Sequence, residues 1–469
     1  MKTKFLSLLS LILALLLLVS CGTTPSDKEL PPDAARINGT LLEEFTIVYS
    51  NKGGDYSARA AEYIQEEIKN RTSLELEVKT DTAEKTWEYE IIVGETGREI
   101  SKNLDPETKG MQFAIISNDK QVALEGDHFV IAAAAYYFIN TYITDVTFNA
   151  TIPTTATVCE PITEKANNYI FLIGDGMGLY QTKLFEVMSL PTSNNFSDNE
   201  DIFYGYMFPY QGFAKTYSQN SDVTDSAAGG TALASGYKTN NENIGMFVGR
   251  KDVQSLTELA GSLGMSTAVM STDVATGATP ASFSAHAKRR DLTDIIEKSQ
   301  KETVEKYGTI IKCGYGSEYA PAKVKALEND VLATIDTLDD NEKGFFMMYE
   351  EAHIDKHSHS NEIDSTFFAL MRFNQIIGVI MEYAFYNPDT FVIMTADHET
   401  GNLLPDSTGK FVYSQTSHSG ADVPVFAYGH DADVFNGKTI NNIQIPKTIA
   451  SFWGVNNFGN KDLEGPLTK

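Results

Sequence analysis

The sequence predicts an α/β protein: a central, mostly parallel sheet covered by helices on both faces, preceded by a small α+β domain. Three observations carry this. Short runs such as YIFLIG (169–174), TAVMST (267–272), FFMMY (345–349) and FVIMTA (391–396) are of strand length and apolar on consecutive residues, the texture of strands buried on both faces. Helical segments separate them, as a parallel sheet requires. The polar clusters of interest follow such runs, at the carboxyl ends of strands, where ligands bind in open α/β sheets.

The first residues read as an export signal. Lys2 and Lys4 are followed by Phe5 to Val19, nearly all Leu, Ile and Ala. This stretch is too short for a span, since its helix would cover about 22 Å of a hydrocarbon core about 30 Å thick. It ends in Leu18-Val19-Ser20-Cys21, which resembles a lipobox, so residues 1–21 are expected to be signal, with Cys21 carrying lipid. Residues 22–40 then read as a tether, and the protein as exported and membrane-anchored on the periplasmic or cell-surface side.

Residues 41–150 read as the small α+β domain. FTIVY, LELEV, YEIIVG, QFAIIS and QVALEG are strand candidates, ARAAEYIQEEIKN is an amphipathic helix, and Phe129 to Tyr142 is an apolar one. The arrangement weakly resembles the small non-catalytic domain that precedes the catalytic barrel in some glycoside hydrolases. His128 reads as structural. The Thr/Pro-rich ATIPTTATVCEPIT marks the boundary, and residues 165–469 form the main domain.

A net charge of −26 makes nucleic acid an improbable partner, because its phosphates need a basic footprint. Loss of the signal removes two lysines and no acids. So acidic a chain would also repel an anionic substrate unless bound cations reverse the local field. Apart from Cys21 there are Cys159 and Cys313, which in an exported chain are either a disulfide or two free thiols.

Five clusters stand out. In GDGMG, Asp175 ends an apolar run between glycines that permit close approach. In VTDSAAGGTALASG, either Asp225 or Ser226 caps a helix, and the serine hydroxyl at that positive end suits a phosphate or a nucleophile. In GATPASFSAHAKRR, Thr279 accompanies Lys288, Arg289 and Arg290, and an arginine fork grips two phosphate oxygens; His286 reads as a packing residue. In MMYEEAHIDKHSHSNE, Glu350 is a hard oxygen donor, and helical spacing pairs Asp355 with His359 or His353 with His357, either of which could seat a metal. FVIMTADHETGN adds Asp397 and His398, and SQTSHSGADVP adds His418. An O/N ligand set with few cysteines suits zinc, with extra oxygens for magnesium.

In order, GDGMG, TDSAAGGTA, ATPASFSAH, EEAHIDKHSH, TADHETG and HSGADVPVFAYG resemble the alkaline phosphatase family over about residues 168–455. The lipobox and the first domain suggest a bacterial lipoprotein form with an accessory domain. The resemblance implies Ser226 as nucleophile, Arg290 as phosphate clamp and Lys356 near phosphate. It implies two zinc ions, one on Asp355, His359 and His418 and one on Asp175, Asp397 and His398. A magnesium would lie on Asp175, Thr279 and Glu350. It leaves His353 and His357 out. The implied reaction is hydrolysis of a small phosphate monoester through a phosphoserine intermediate, and a homodimer is allowed. Gly277 departs from the family, whose members often carry Asp or His there. The alternatives are a phosphodiesterase or another hydrolase of the same superfamily and, from another class, a non-catalytic surface-anchored binding lipoprotein.

Overall fold

The computed structural model describes residues 34–469 except 53, 82–84, 103, 105–109, 145–147, 189–201 and 249–250. The signal, Cys21 and most of the tether lie outside the described residues.

The chain first forms a six-stranded sheet in the order Val78–Thr80, Phe45–Tyr49, Tyr89–Val93, Gln121–Glu125, Phe113–Ser117, Thr157–Cys159. The first four strands are parallel and the last two antiparallel to their neighbours. Helices Gly54–Thr72 and Ile131–Tyr142 share its apolar core.

Three details differ from the sequence reading. Residues 36–40 are not tether: Arg36–Ile37 and Thr40–Leu41 pair as a hairpin, closed by Asn38 and Gly39 at φ 47° and 85°. Asn-Gly is the pair such a tight turn favours, because both central residues need positive φ. LELEV yields strand only from Val78; Leu76 is buried while Glu75 and Glu77 face solvent. The small sheet also continues past residue 150, since Cys159 pairs with Phe113 inside the Thr/Pro stretch. Cys159 and Cys313 are both free thiols.

The second sheet has eight strands: β1 (Asn168–Gly174), β2 (Tyr210–Lys215), β3 (Ser266–Ser271), β4 (Ile310–Cys313), β5 (Phe345–Glu351), β6 (Thr390–Thr395), β7 (Val423–Tyr428) and β8 (Thr439–Asn441). Their spatial order is β4-β3-β5-β1-β6-β7-β2-β8. Only β7 runs against the rest. The four apolar runs are four adjacent interior strands, β3-β5-β1-β6, as their continuous hydrophobicity predicts. β1, β5 and β6 are buried along their whole length.

Among the helices around this sheet, four bear on the site or on the first domain: α1 (Ser226–Ser235), α2 (Ala278–Ser284), α3 (His353–His359) and α4 (Ile363–Tyr386). α4 is apolar nearly all round, which marks a helix covered on every side. One side meets the large sheet and another the first domain. Arg59 Nε donates to both Glu382 oxygens at 3.0 and 2.9 Å. Tyr63 stacks on Tyr386 with centroids 4.2 Å apart, and Phe129 stacks on Phe385. One apolar cluster therefore runs through both sheets.

Candidate active site

The carboxyl ends of β1, β5 and β6 bring the polar clusters to one place. Asp175 follows β1, Glu350 lies near the end of β5, and Asp397 and His398 follow β6; all four are buried. The strand pleat explains the Glu350-Glu351 pair, because successive side chains point to opposite faces. Glu350 accepts from Ser271 Oγ at the end of β3. Glu351 turns away and takes Arg372 of α4 through Nη2 at 2.6 Å and Nε at 2.7 Å. Buried with that partner, the Glu351 carboxylate is held down at about 2 despite the burial that opposes it.

Glycines let these segments close up. Gly176 has φ 71°, and a Cβ there would stand 2.9 Å from both Asp355 Cα and Thr400 Oγ1. α1 is built from small residues for the same reason, since a Cβ on Gly229 would stand 2.9 Å from Asp397 O.

Asp225, not Ser226, caps α1, accepting from Ala228 N at 2.9 Å. That leaves the Ser226 hydroxyl uncommitted to the backbone, in the first turn and buried. Its Oγ lies 3.2 Å from His398 Nε2. The same nitrogen is 3.5 Å from Asp175 Oδ1 and 3.3 Å from Asp397 Oδ2. Asp175, Asp397 and His398 can present ligand atoms within 4.8 Å of one another, and so can Asp355, His398 and His418. His359 joins the second group: its Nε2 is 3.1 Å from His418 Nε2 and 3.3 Å from Asp355 Oδ1. His398 thus borders both groups, and His359 is the more exposed outer member.

The imidazoles are oriented from behind. His359 Nδ1 lies 2.5 Å from Thr416 O, and His418 Nδ1 lies 2.8 Å from Thr224 O. A carbonyl only accepts, so each Nδ1 carries the proton and each Nε2 presents a lone pair to the centre. Such backing is usual behind metal-bound histidines.

Three buried oxygens here have no hydrogen-bond partner: Asp175 Oδ1, Asp397 Oδ2 and Thr279 Oγ1. Buried polar atoms are rarely left so. Burial, then the neighbouring carboxylates, hold Asp175 and Asp397 well above the usual carboxylate range. Burial pushes Glu350 up to about 7, opposed by the Ser271 hydroxyl. Burial, then the charges of His418, His359 and Arg290, drive His398 well below the ordinary histidine value. A neutral His398 beside crowded carboxylates and orphaned oxygens fits divalent cations, which would relieve the repulsion and satisfy those atoms. Asp355, His359, His418, His398, Asp175 and Asp397 offer the mixed nitrogen and oxygen donors that suit zinc. Asp175, Thr279 and Glu350 offer oxygen only, which suits magnesium.

The remaining candidates sit around this centre. Arg290 Nη1 is 3.5 Å from Asp225 Oδ2, at the mouth of α1. Lys356 Nζ donates to Asp273 Oδ1 at 2.5 Å. His353 lies behind β5, with Nδ1 3.1 Å from Thr272 Oγ1 and 3.5 Å from Glu351 Oε1. His357 Nδ1 is 3.3 Å from Glu362 Oε2. His286 is more than a packing residue, because its ring bridges Gly245 O at 2.7 Å and Glu258 Oε1 at 3.1 Å.

The sequence reading missed Thr400 and the segment Ser271-Thr272-Asp273. The strand-end rule that picked out Asp175 and Asp397 applies equally to Ser271 and Thr272, which close TAVMST. Thr400 gave no such signal, because a threonine two residues past a histidine is ordinary.

A family model described as alkaline phosphatase matches residues 166–312 and 318–410. Alkaline phosphatase 4 of Bacillus subtilis (strain 168) is 29% identical over 295 residues, covering 52% of this chain and 63% of that protein. Alkaline phosphatase of Schizosaccharomyces pombe is 27% identical over 311 residues, covering 51% and 57%. The match thus spans less than two thirds of either relative. Among solved structures, alkaline phosphatase from the Antarctic bacterium TAB5 superposes with a TM-score of 0.54 at 26% identity, over 63% of this chain and 100% of that one. A variant of that protein with magnesium bound in its M3 site gives 0.52 at 25%, over 64% and 100%.

Proposed function

The chain belongs to the alkaline phosphatase family, and on that premise we propose that it hydrolyses small phosphate monoesters through a phosphoserine intermediate. The observation that carries this reading is the placement of Ser226. Its hydroxyl is buried at the positive end of α1, beside His398 and among the unpartnered carboxylate oxygens.

We assign one zinc to Asp355, His359 and His418, a second to Asp175, Asp397 and His398, and a magnesium to Asp175, Thr279 and Glu350. Bound there, the cations would supply Lewis acidity, lowering the pKa of a hydroxyl or water and stabilising charge on attacking and leaving oxygens. They would also offset the chain's acidity where the anionic substrate enters.

The chain's own groups do the rest. Ser226 Oγ attacks phosphorus and displaces the alcohol, and water then attacks the phosphoserine to release phosphate and free the serine. The first turn of α1 directs its N–H groups and dipole at the phosphoryl oxygens. Arg290 contributes a planar fork for two of those oxygens, and its pairing with Asp225 keeps it at the helix mouth. Lys356 adds a second cation at the rim. The oxygen-only set with Arg290 favours monoesters over diesters.

The test combines metal content with hydrolysis of a chromogenic monoester and the matching diester, with and without chelator. The expected result is two zincs per chain and chelator-sensitive monoester turnover. Preferential diester turnover would point to the phosphodiesterase alternative. Metal without turnover of either ester would point to a binding protein, and no metal in folded protein would overturn the assignment.

From the Lys2/Lys4, apolar-run and Cys21 pattern we also propose an exported lipoprotein. No described helix is long and apolar enough to cross a membrane. Metabolic labelling with a fatty-acid analogue tests this: label lost in Cys21→Ser supports the anchor, and label absent from wild type overturns it.

A further inference from the structure

Gly277 precedes α2 with φ −56° and ψ 153°, which any residue can adopt. Its surroundings are what exclude a side chain. A Cβ there would stand 2.6 Å from Asp273 Oδ2 and 2.9 Å from Val274 O. The Asp273 carboxylate, carried on the loop after β3, therefore fills the volume that residue 277 would otherwise occupy. This is the entrance to α2, two residues before Thr279.

Asp273 also connects two parts of the site. Its Oδ1 accepts from Lys356 Nζ, and its backbone N–H donates to Ser271 Oγ at 2.9 Å. The Ser271 hydroxyl donates in turn to Glu350. An exposed lysine–aspartate pair is worth about 0–1 kcal/mol. The Lys356–Asp273 pair is partly exposed, 43% and 24%, so what distinguishes Asp273 is the position of its Oδ2 in the space beside Gly277, not the strength of the ion pair.

We propose that Asp273 is a positioning residue of this site. Its carboxylate holds Lys356 at the rim and forms one wall of the oxygen cluster of Thr279 and Glu350, and residue 277 is glycine to leave it room. The inference rests on the magnesium assignment above. In this chain a carboxylate from the loop takes the role that a side chain at position 277 would be placed to fill.

The experiment relocates the carboxylate. Wild type, Asp273→Ala, Asp273→Asn, Gly277→Asp and the double variant Asp273→Ala/Gly277→Asp are loaded with zinc and magnesium and dialysed. Zinc and magnesium per chain, the magnesium dependence of the thermal midpoint, and inhibition by inorganic phosphate are then measured. Asp273→Ala and Asp273→Asn are expected to keep zinc, to bind magnesium roughly 10–100-fold more weakly, and to be inhibited less by phosphate. Gly277→Asp alone should lose magnesium too, because two side chains compete for one space. The double variant should recover most of the magnesium, which a purely structural role for Asp273 would not produce. Wild-type magnesium affinity in Asp273→Asn, or no recovery in the double variant, would overturn the inference alone. Wild type that takes up zinc but no magnesium would overturn the magnesium assignment and this inference together.

Discussion

The Thr400 hydroxyl donates to Asp355 Oδ1 at 2.5 Å, and the same oxygen stands 3.2 Å from His398 Nδ1. With its proton given to Asp355, it can only accept from His398, which puts the imidazole proton on Nδ1 and the free lone pair on Nε2, facing Ser226. One side chain thus orients a donor in each metal group. Thr400→Val keeps the shape and removes the hydroxyl. It is expected to lower zinc affinity or turnover roughly 10–100-fold, while Thr400→Ser retains most of both. Zinc titration against a competing chelator reads the effect without relying on activity.

The histidines of α3 should separate by function. His359→Ala removes a lone pair aimed at the centre and is expected to lose about one zinc per chain. His353→Ala empties a position in the buried Glu351–Arg372–Thr272 network, so zinc is retained and the thermal midpoint falls. Ser226→Ala touches neither set of donors. It should keep zinc and the fold while turnover drops by about three orders of magnitude or more. Metal analysis and calorimetry on the three variants check the pattern, and zinc lost from His353→Ala but kept in His359→Ala would reverse the assigned register.

Much of this arrangement was legible because the chemistry follows strand ends, and strand ends are visible as apolar runs stopping at a polar residue. Asp175, Glu350, Asp397 and His398 all obey that rule. Which carboxylate of Glu350-Glu351 faces the site was harder to read. It depends on the pleat phase of β5 and on Arg372, which lies one helix away in sequence. Asp273 was invisible for a related reason: its meaning comes from the absence of a side chain at Gly277, a contact that only the folded backbone creates. The hairpin at Asn38-Gly39 did carry a local signal, but its position beside a polar leader made it read as tether.

His286 gives the stability a pH dependence independent of the metals. Burial alone would lower its pKa, but the hydrogen bond and charge of Glu258, with Gly245 O behind, raise it above the ordinary 6.5. A raised histidine stabilises the fold fully below 6.5, and the contribution is lost as pH rises through its folded value. Glu258 is lowered: burial opposes this, but His286 and the Ser255 N–H of its own capping box prevail. Its contribution holds above 4.5 and is lost as pH falls through its folded value. The pair should therefore stabilise most between those limits. Thermal midpoints of wild type and His286→Gln are expected to differ most near about pH 6 and to converge by about pH 9. A gap that stayed constant across that range would mean the imidazolium contributes nothing.

The junction between the two sheets depends on a close approach at Gly378 of α4. A Cβ there would overlap the Tyr56 hydroxyl and reach Tyr204 Cε2 at 3.1 Å. One turn further along α4, Glu382 is buried with Arg59 as its partner, so the first domain cannot withdraw from α4 without stranding a buried carboxylate. Gly378→Ala should force Tyr56 outward and loosen that ion pair, destabilising the protein by about 1–3 kcal/mol, the usual cost of overpacking. Zinc content should not change, because α3 and the strand ends lie beyond the affected part of α4. Calorimetry with metal analysis separates the two effects. If the midpoint fell and zinc fell with it, the first domain would be supporting the metal centre as well as the core; an unchanged midpoint would show that Tyr56 is free to move.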